Sequence, residues 1–137
     1  MKKIIIIFSL VLTTISTGYP QCKIIIRYVD STIRTPVKTS SCSFSTWKTF
    51  IKEFEVQDSL FCTLVKQRID SMKVHDEQIE RYFPDVRQQI TIVFDEECDT
   101  LFSDGSFAME KNGNCMVFDE ILQTTINQLI NIYGNVP

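Results

Sequence analysis

The chain has 137 residues, of which 44% are hydrophobic, and a formal net charge of −3 at neutral pH. This length allows one domain with a substantial core and is too short for two. A nucleic-acid partner is not expected, because phosphate binding needs a basic surface and this chain is acidic.

Residues 1–18 have the order of a cleavable signal peptide. Two lysines precede an apolar run over residues 4–12, and small residues lead to Gly18. The run is too short to cross about 30 Å of hydrocarbon. We therefore predict cleavage after Gly18 and export of residues 19–137, as one domain, to the periplasm or the medium, with no stable membrane insertion after cleavage.

Two other interpretations of this segment stay open. The four consecutive isoleucines would also suit a buried N-terminal strand. Cys22 could be acylated in a lipoprotein, although the preceding Tyr-Pro-Gln lacks the aliphatic and small residues that a lipobox requires.

The first part of the chain is predicted to form a strand with a short partner strand, followed by three helical stretches. Residues 22–29 are rich in β-branched side chains and indicate a strand, followed by a short partner strand over 32–37 and a polar loop over 39–43. Spacings of three and four then predict a helix with an aromatic face, capped by Ser45 or Thr46 and formed by Phe44, Trp47, Phe50, Ile51 and Phe54.

Asp58 or Ser59 can cap the next helix. Its predicted apolar face consists of Leu60, Phe61, Leu64, Val65, Ile69 and Met72. A third helical stretch over 76–83 should end before Pro84, because the residue before a proline disfavours helical geometry.

The second half begins with period-two alternation, which predicts a strand over 88–95 with both faces partly buried. An acidic turn over 95–99 follows. Residues 100–111 are predicted to be extended, with an interruption at Asp104-Gly105. Asn112-Gly113 is a strong signal for a type I′ hairpin into residues 114–118.

The last element is a helix that Asp119 caps and that ends at Gly134. Its predicted apolar stripe is Ile121, Leu122, Ile126, Leu129, Ile130 and Tyr133. Asn127 is placed on the opposite face. The fold class is therefore α+β: an antiparallel sheet with helices packed on one face, a two-layer sandwich whose C-terminal hairpin is followed by an amphipathic helix.

The sequence assigns no catalytic, cofactor-binding or metal-ligating residue. His75 is the single histidine, and its charged surroundings predict an exposed connector. No CxxC, HxxxH or HExxH spacing is present. The acidic run 95–99 lacks the glycine and the final glutamate of a calcium loop, since Thr100 and Ser106 stand there. Ser106 also lacks the flanking glycines of a nucleophile elbow.

Arg68 falls within the predicted apolar face of the second helix. An unpaired buried charge is too costly, so we expect a carboxylate partner or an exposed guanidinium. The alternative is an arginine presented to an anionic ligand in a groove.

Five cysteines in an exported chain predict at least one disulfide. Strand spacing excludes Cys98–Cys115, whether the two lie at opposite ends of one long strand or two strands apart. Cys62 is predicted to be the unpaired buried thiol, and Cys22 and Cys42 the main candidates for a bridge.

These features favour a non-enzymatic binding or interaction domain, whose partner could be another envelope or secreted protein. The alternative is a small secreted hydrolase or effector that uses scattered carboxylates. Polar side chains that converge in a cleft would favour the hydrolase, and a closed globule the binder. A third hypothesis, a structural envelope protein, predicts a large exposed apolar patch.

Overall fold

One antiparallel sheet of six strands organises the computed structural model, which describes residues 21–34 and 38–135. The strand order is β2-β1-β3-β4-β5-β6. The strands are β1 (Cys22–Val29), β2 (Ile51–Val56), β3 (Gln88–Phe94), β4 (Glu97–Ser103), β5 (Met109–Lys111) and β6 (Asn114–Met116).

Within residues 21–34 and 38–135, three α-helices accompany this sheet, and a 3₁₀ turn covers Glu80–Tyr82. The helices are α1 (Ser41–Phe44), α2 (Ser59–Asp70) and α3 (Glu120–Tyr133). The predicted α+β class is confirmed, and so is the C-terminal hairpin that leads into an amphipathic helix.

The main core lies between the sheet and the two long helices. Alternate strand residues face the helices, because successive side chains of a strand point to opposite sides. The core side chains that are at most 2% exposed include Ile24, Ile26, Ile90, Ile92 and Leu101 of the sheet, Cys62, Val65 and Ile69 of α2, and Leu122, Ile126 and Leu129 of α3.

A smaller cluster covers part of the other face of the sheet. Phe44 of α1 packs there against Val29 and Val86, with Phe102 of β4 partly buried beside them. Helix α1 is held by Ser40, whose side chain accepts from the backbone N–H of Ser43 in a capping box.

The hairpins follow from local backbone preferences. Asn112 and Gly113 both have positive φ, 53° and 76°, as a type I′ turn requires, and the predicted hairpin is present. The predicted interruption at Asp104-Gly105 separates β4 from β5, which pair as a second hairpin.

The predicted aromatic-faced helix over residues 44–54 is wrong. Helix α1 ends where that helix was expected to begin, and residues 51–56 form edge strand β2. The sequence Ile-Lys-Glu-Phe-Glu-Val also alternates with period two: Phe54 and Val56 pack on the core, and Glu55 pairs with Lys23 of β1 at 3.3 Å. The three-and-four spacing of the aromatic residues masked this alternation.

The predicted face of α2 is partly wrong, although Asp58 caps the helix as expected. Leu60 is 81% exposed and Leu64 is 38% exposed, whereas Cys62 is completely buried. The helix is rotated toward Cys62 because this residue joins Cys22 of β1 in a disulfide.

Other boundaries changed in smaller ways. The helical stretch predicted over 76–83 is only the 3₁₀ turn, and residues 32–34 of the predicted partner strand are not in a strand. Residues 35–37 of that strand lie outside the described part. In α3, Ile121 was assigned to the apolar stripe but is 56% exposed.

The predicted signal peptide, residues 1–18, lies outside the described residues. Within the described ranges, no helix has the length and apolar character needed to span a membrane.

Candidate functional site

An open cleft of about 840 Å³ lies beside the C-terminal half of α3. The end of β1, the start of β3 and the β4–β5 loop form its other walls. Its lining is polar and includes the cations Arg34, Lys52 and Arg87, the acids Asp30 and Asp104, and the amides Gln88, Asn127 and Asn131.

Buried polar side chains lie beneath this cleft. Gln123 of α3 is 3% exposed, and its Nε2 donates to Gln88 Oε1 at 2.8 Å and to Asn127 Oδ1 at 3.1 Å. Its Oε1 accepts a hydrogen bond from the fully buried hydroxyl of Ser103. Gln88 Nε2 in turn donates to Asn127 Oδ1 at 3.0 Å.

The network closes through the backbone of Gly105 in the β4–β5 loop. The N–H of Gly105 donates to Ser103 Oγ at 2.9 Å, and its carbonyl accepts from Asn127 Nδ2 at 3.2 Å. Both backbone groups of this residue are thereby tied to β4 and α3. The term "amide network" below means Gln88, Ser103, Gln123 and Asn127 with the backbone of Gly105.

The shape of the β4–β5 loop is also set locally. Asp104 Oδ1 accepts from the backbone N–H groups of Ser106, Phe107 and Ala108 at 2.8, 2.9 and 3.1 Å. Gly105 has a φ of +86°, and a Cβ there would lie 3.1 Å from Gln88 Nε2. A glycine suits this position because it adopts positive φ without strain and leaves room for the amide.

The charged groups of the cleft differ in the hydrogen bonds and ion pairs that hold them in place. Asp30 Oδ1 accepts from the backbone N–H and the hydroxyl of Thr32, at 3.0 and 2.9 Å, and these bonds lower the pKa of Asp30. Lys52 lies 3.5 Å from the other oxygen of that carboxylate. Arg87 pairs with Asp85 at 2.8 Å.

Aromatic side chains hold the C-terminal end of α3 against β1, beside the cleft. The hydroxyl of Tyr28 donates to the carbonyl of Gly134 at 3.0 Å, which anchors the end of α3 to β1. The ring of Phe54 meets Tyr28 edge-on at 6.0 Å and stacks on Tyr133 at 6.1 Å.

His75 does not line this cleft. It lies with Cys115 in a separate cavity of about 270 Å³, and its ring is 4.3 Å from that of Tyr82. The predicted exposed connector is therefore half-buried instead. Its Nδ1 accepts from the backbone N–H of Glu77 at 3.1 Å.

The surroundings of Cys115 oppose a catalytic Cys-His pair. Its Sγ donates to the carbonyl of Tyr82 at 2.8 Å, and burial, reinforced by the charge of Glu110, raises the pKa of the thiol. Reactive cysteines need the opposite shift, since the thiolate is the nucleophile.

The acidic run 95–99 forms the β3–β4 turn and the start of β4. Asp95 has a φ of 52°, and Asp99 pairs with Lys111 at 2.7 Å. Among residues 21–34 and 38–135, no group of three or more His, Cys, Asp or Glu side chains is arranged to hold a metal ion.

Arg68 has the carboxylate partner that its position predicted. Its Nε and one terminal nitrogen donate to the two oxygens of Asp119 at 2.8 and 2.7 Å. Asp119 also caps α3 by accepting from Leu122 N at 3.0 Å. Burial alone would raise the pKa of Asp119, but the hydrogen bonds from Arg68 and the backbone outweigh it and lower the pKa.

The predicted role of Cys62 is wrong. Cys62 is buried as expected but forms a disulfide with Cys22, with Cα atoms 6.0 Å apart. Both residues face the core, Cys22 at the start of β1 and Cys62 in the first turns of α2. Cys42 is free and exposed, against expectation. Cys98 and Cys115 are both free, so the exclusion of that bridge is confirmed.

Apolar side chains are exposed around the edge strand β6. Val74, Phe107, Val117 and Ile121 are 51%, 71%, 48% and 56% exposed. Val74 forms an isolated bridge with Met116, so this edge of the sheet is partly covered by the chain itself.

No protein-family model, curated protein or solved structure matches this chain. The described residues form an α+β domain with an amide-lined cleft. Sequence reasoning missed the amide network, although one signal was available. Gln88 shares the strand face of Ile90 and Ile92, and Gln123 and Asn127 are four residues apart beside the apolar stripe.

Proposed function

We propose that this protein is an exported, non-enzymatic binding domain that holds a small polar ligand in the amide-lined cleft. The observation that carries the proposal is the amide network, which fixes a surface loop over an open cleft. Sites for small molecules commonly have volumes of about 300–1,000 Å³, and this cleft falls in that range.

The amide network buries polar groups at a cost in folding free energy that hydrogen bonds must offset. Burying an amide or a hydroxyl is unfavourable unless it is hydrogen-bonded, and an apolar core would avoid the problem. Here the buried groups bond to one another and to Gly105. A rigid wall with a fixed pattern of hydrogen-bonding groups is what a binding site needs before its ligand arrives.

The chemistry of the cleft favours binding over hydrolysis. Polar side chains do converge in a cleft, which was the feature expected of a hydrolase. They are mainly amides and cations, however, and amides do not transfer protons at neutral pH. The acids Asp30 and Asp104 accept hydrogen bonds from their own loops, and the single histidine is in another cavity.

Export is supported by two independent features. The order of residues 1–18 is that of a signal peptide, and a Cys22–Cys62 disulfide is typical of an oxidising compartment. Mass spectrometry of protein recovered from the envelope or medium should give Tyr19 as the N-terminus. Recovery of intact Met1 or of an acylated Cys22 would contradict cleavage after Gly18.

Binding is tested by screening small polar fragments against the isotopically labelled protein by NMR. Hits should shift the backbone amides of residues 104–108 and 127–131 in a saturable way. The variant Asn127→Ala should weaken these hits, whereas Gln128→Ala, on the exposed side of the same helix, should not. If no hit maps to the cleft, the proposal fails.

A further inference from the structure

We infer that the edge strand β2 is a docking site for an extended, basic segment of another protein, which pairs with it as a seventh strand of the sheet. The site consists of the backbone groups that β2 leaves unpaired and of the side chains beside them. The amide network takes no part in it, so its failure would leave the proposed function standing.

The two edges of the sheet differ in how they are covered. Beside the three-residue strand β6, Val117 N donates to the carbonyl of Lys73 and His75 N to the carbonyl of Cys115, both at 2.8 Å. Strand β2 has six residues and pairs only with β1. Within the described residues, no other backbone segment bonds to its outer side. Such an open edge is a template for a further strand.

The hydrogen bonds of β1 show which backbone groups of β2 point outward. In an antiparallel sheet, a residue points its N–H and C=O to the same neighbour, and successive residues alternate between neighbours. Val29 N donates to the carbonyl of Arg87 at 2.9 Å, so the odd-numbered residues of β1 face β3 and the even-numbered ones face β2. Their partners in β2 are also even-numbered. The backbone groups of Ile51, Glu53 and Glu55 therefore point outward.

Two carboxylates flank these outward backbone groups. The side chains of Glu53 and Glu55 are 60% and 39% exposed, on the face of the sheet opposite the main core. They contact Arg27 and Lys23 of β1 at 3.2 and 3.3 Å. An added strand would have its Cα atoms about 5.5 Å from those of Glu53 and Glu55 but about 10 Å from β1, two strand spacings away. The nearer carboxylates decide the preference, so the residues opposite them should be basic.

Between the two glutamates, β2 points a side chain to the other face. Phe54 is only partly buried at the rim of the main core, where its ring stacks on that of Tyr133 at 6.1 Å. An apolar residue opposite Phe54 would cover this ring and remove more of it from water. The expected pattern in the docking segment is therefore basic, apolar, basic.

A second copy of this chain is a poor partner for the same edge. Antiparallel pairing of two β2 strands about a two-fold axis would place Glu53 opposite Glu53, Glu53 opposite Glu55, or Glu55 opposite Glu55 in the registers centred on residues 53, 54 and 55. The register centred on Lys52 places two lysines opposite each other. Like charges directly opposite destabilise a strand pair, so the edge resists self-association while it remains open to a basic strand.

The test is an NMR titration of the purified protein with two capped hexapeptides at constant ionic strength. One is acetyl-Thr-Arg-Val-Arg-Thr-Val-amide, and the other has both arginines replaced by glutamate. The basic peptide should shift the backbone amides of Ile51, Glu53 and Glu55 in a saturable way. It should bind about two- to thirtyfold more tightly than the acidic peptide, because two cross-strand pairs of opposite charge each contribute modestly.

A third peptide separates strand pairing from a general attraction between charges. It is the basic peptide with both arginine backbone nitrogens methylated, which removes the donors that the carbonyls of Glu53 and Glu55 would accept. This peptide should not shift the β2 amides at concentrations at which the basic peptide saturates them.

A charge variant tests the two carboxylates. The double substitution Glu53→Gln and Glu55→Gln should reduce the preference for the basic peptide to within about twofold, while the backbone still pairs. The matched control, Glu80→Gln with Glu96→Gln, removes the same charge from two exposed positions outside β2 and should leave the preference unchanged.

Four results would overturn the inference. Three come from the peptides: equal binding of the acidic peptide, unchanged binding of the methylated peptide, or no shift in β2 with the basic peptide at high millimolar concentration. The fourth is a shift of the same amides when the protein alone is concentrated, which would assign this edge to a second copy of the chain.

Discussion

Helix α3 buries two neighbouring faces that differ in chemistry. One face places Leu122, Ile126 and Leu129 against the apolar side of the sheet, and all three are completely buried. The other places Gln123 and Asn127 in hydrogen bonds beneath the cleft. The first face stabilises by removing apolar area from water, and the second fixes the position of a loop. The comparison shows that burial in one helix can serve both folding and the geometry of a site.

The apolar face should give the largest effect on stability. Leu129→Ala should lower the free energy of unfolding by about 2–5 kcal/mol, because it removes buried methyl groups and leaves a cavity. Urea denaturation measures the change. Gln128→Ala, the exposed neighbour, is the matched control and should change it little. Equal effects of the two substitutions would mean that a different face of the helix packs against the sheet.

The disulfide also stabilises the apolar core, since it attaches α2 to β1. Replacing both Cys22 and Cys62 by serine should cost about 2–4 kcal/mol of unfolding free energy. Cys42→Ser, at a free and exposed position, should cost little. Non-reducing peptide mapping should recover a Cys22–Cys62 peptide, and a different cross-link would contradict the packing of α2.

An added apolar side chain on the polar face should lower the stability of the protein. Gln123→Leu should lower the free energy of unfolding by about 1–3 kcal/mol, because the buried Ser103 hydroxyl and the Gln88 amide lose their partners. Hydrogen exchange of the Gly105 amide should become faster as the loop loosens. A neutral or stabilising effect with unchanged exchange would mean that the network only fills space.

The cap of α3 should give the smallest effect, visible as a pH dependence. The pKa of Asp119 is lower in the folded protein, so its contribution is complete above the unfolded pKa and is lost as pH falls through the folded value. Melting temperatures should therefore decline as the pH falls below about 4, the usual pKa of an aspartate. Asp119→Asn should flatten that decline, and so should Arg68→Met. An unchanged decline in both variants would assign the acid sensitivity to other carboxylates.

Local patterns in the sequence predict much of this fold. The Asn112-Gly113 hairpin and the Asp119 cap depend on neighbouring residues, and both are present as expected. A carboxylate partner for Arg68 was one of the two predicted outcomes, because a charge within an apolar face needs a partner or exposure, and that partner is present. The identity of that partner, 51 residues away, was not predictable from spacing.

The errors arise where tertiary contacts decide the structure. Strand β2 was missed because its aromatic residues fit helical spacing, and pairing with β1 selects the alternating pattern instead. Asn127 was placed on the face opposite the apolar stripe, but its side chain is hydrogen-bonded to Gln88 and Gly105. Such bonds join segments far apart in the chain, so periodicity can place a polar residue on a buried face but cannot identify its partner.

The most direct test of the account is a crystal structure of the protein soaked with a small polar fragment that shifts the backbone amides of residues 104–108 and 127–131 in the NMR screen. The account predicts the fragment in the cleft, hydrogen-bonded to the side-chain amide of Gln88 or Asn127, with the amide network unchanged. A structure in which the fragment lies elsewhere, or in which the amide network is broken, would contradict it.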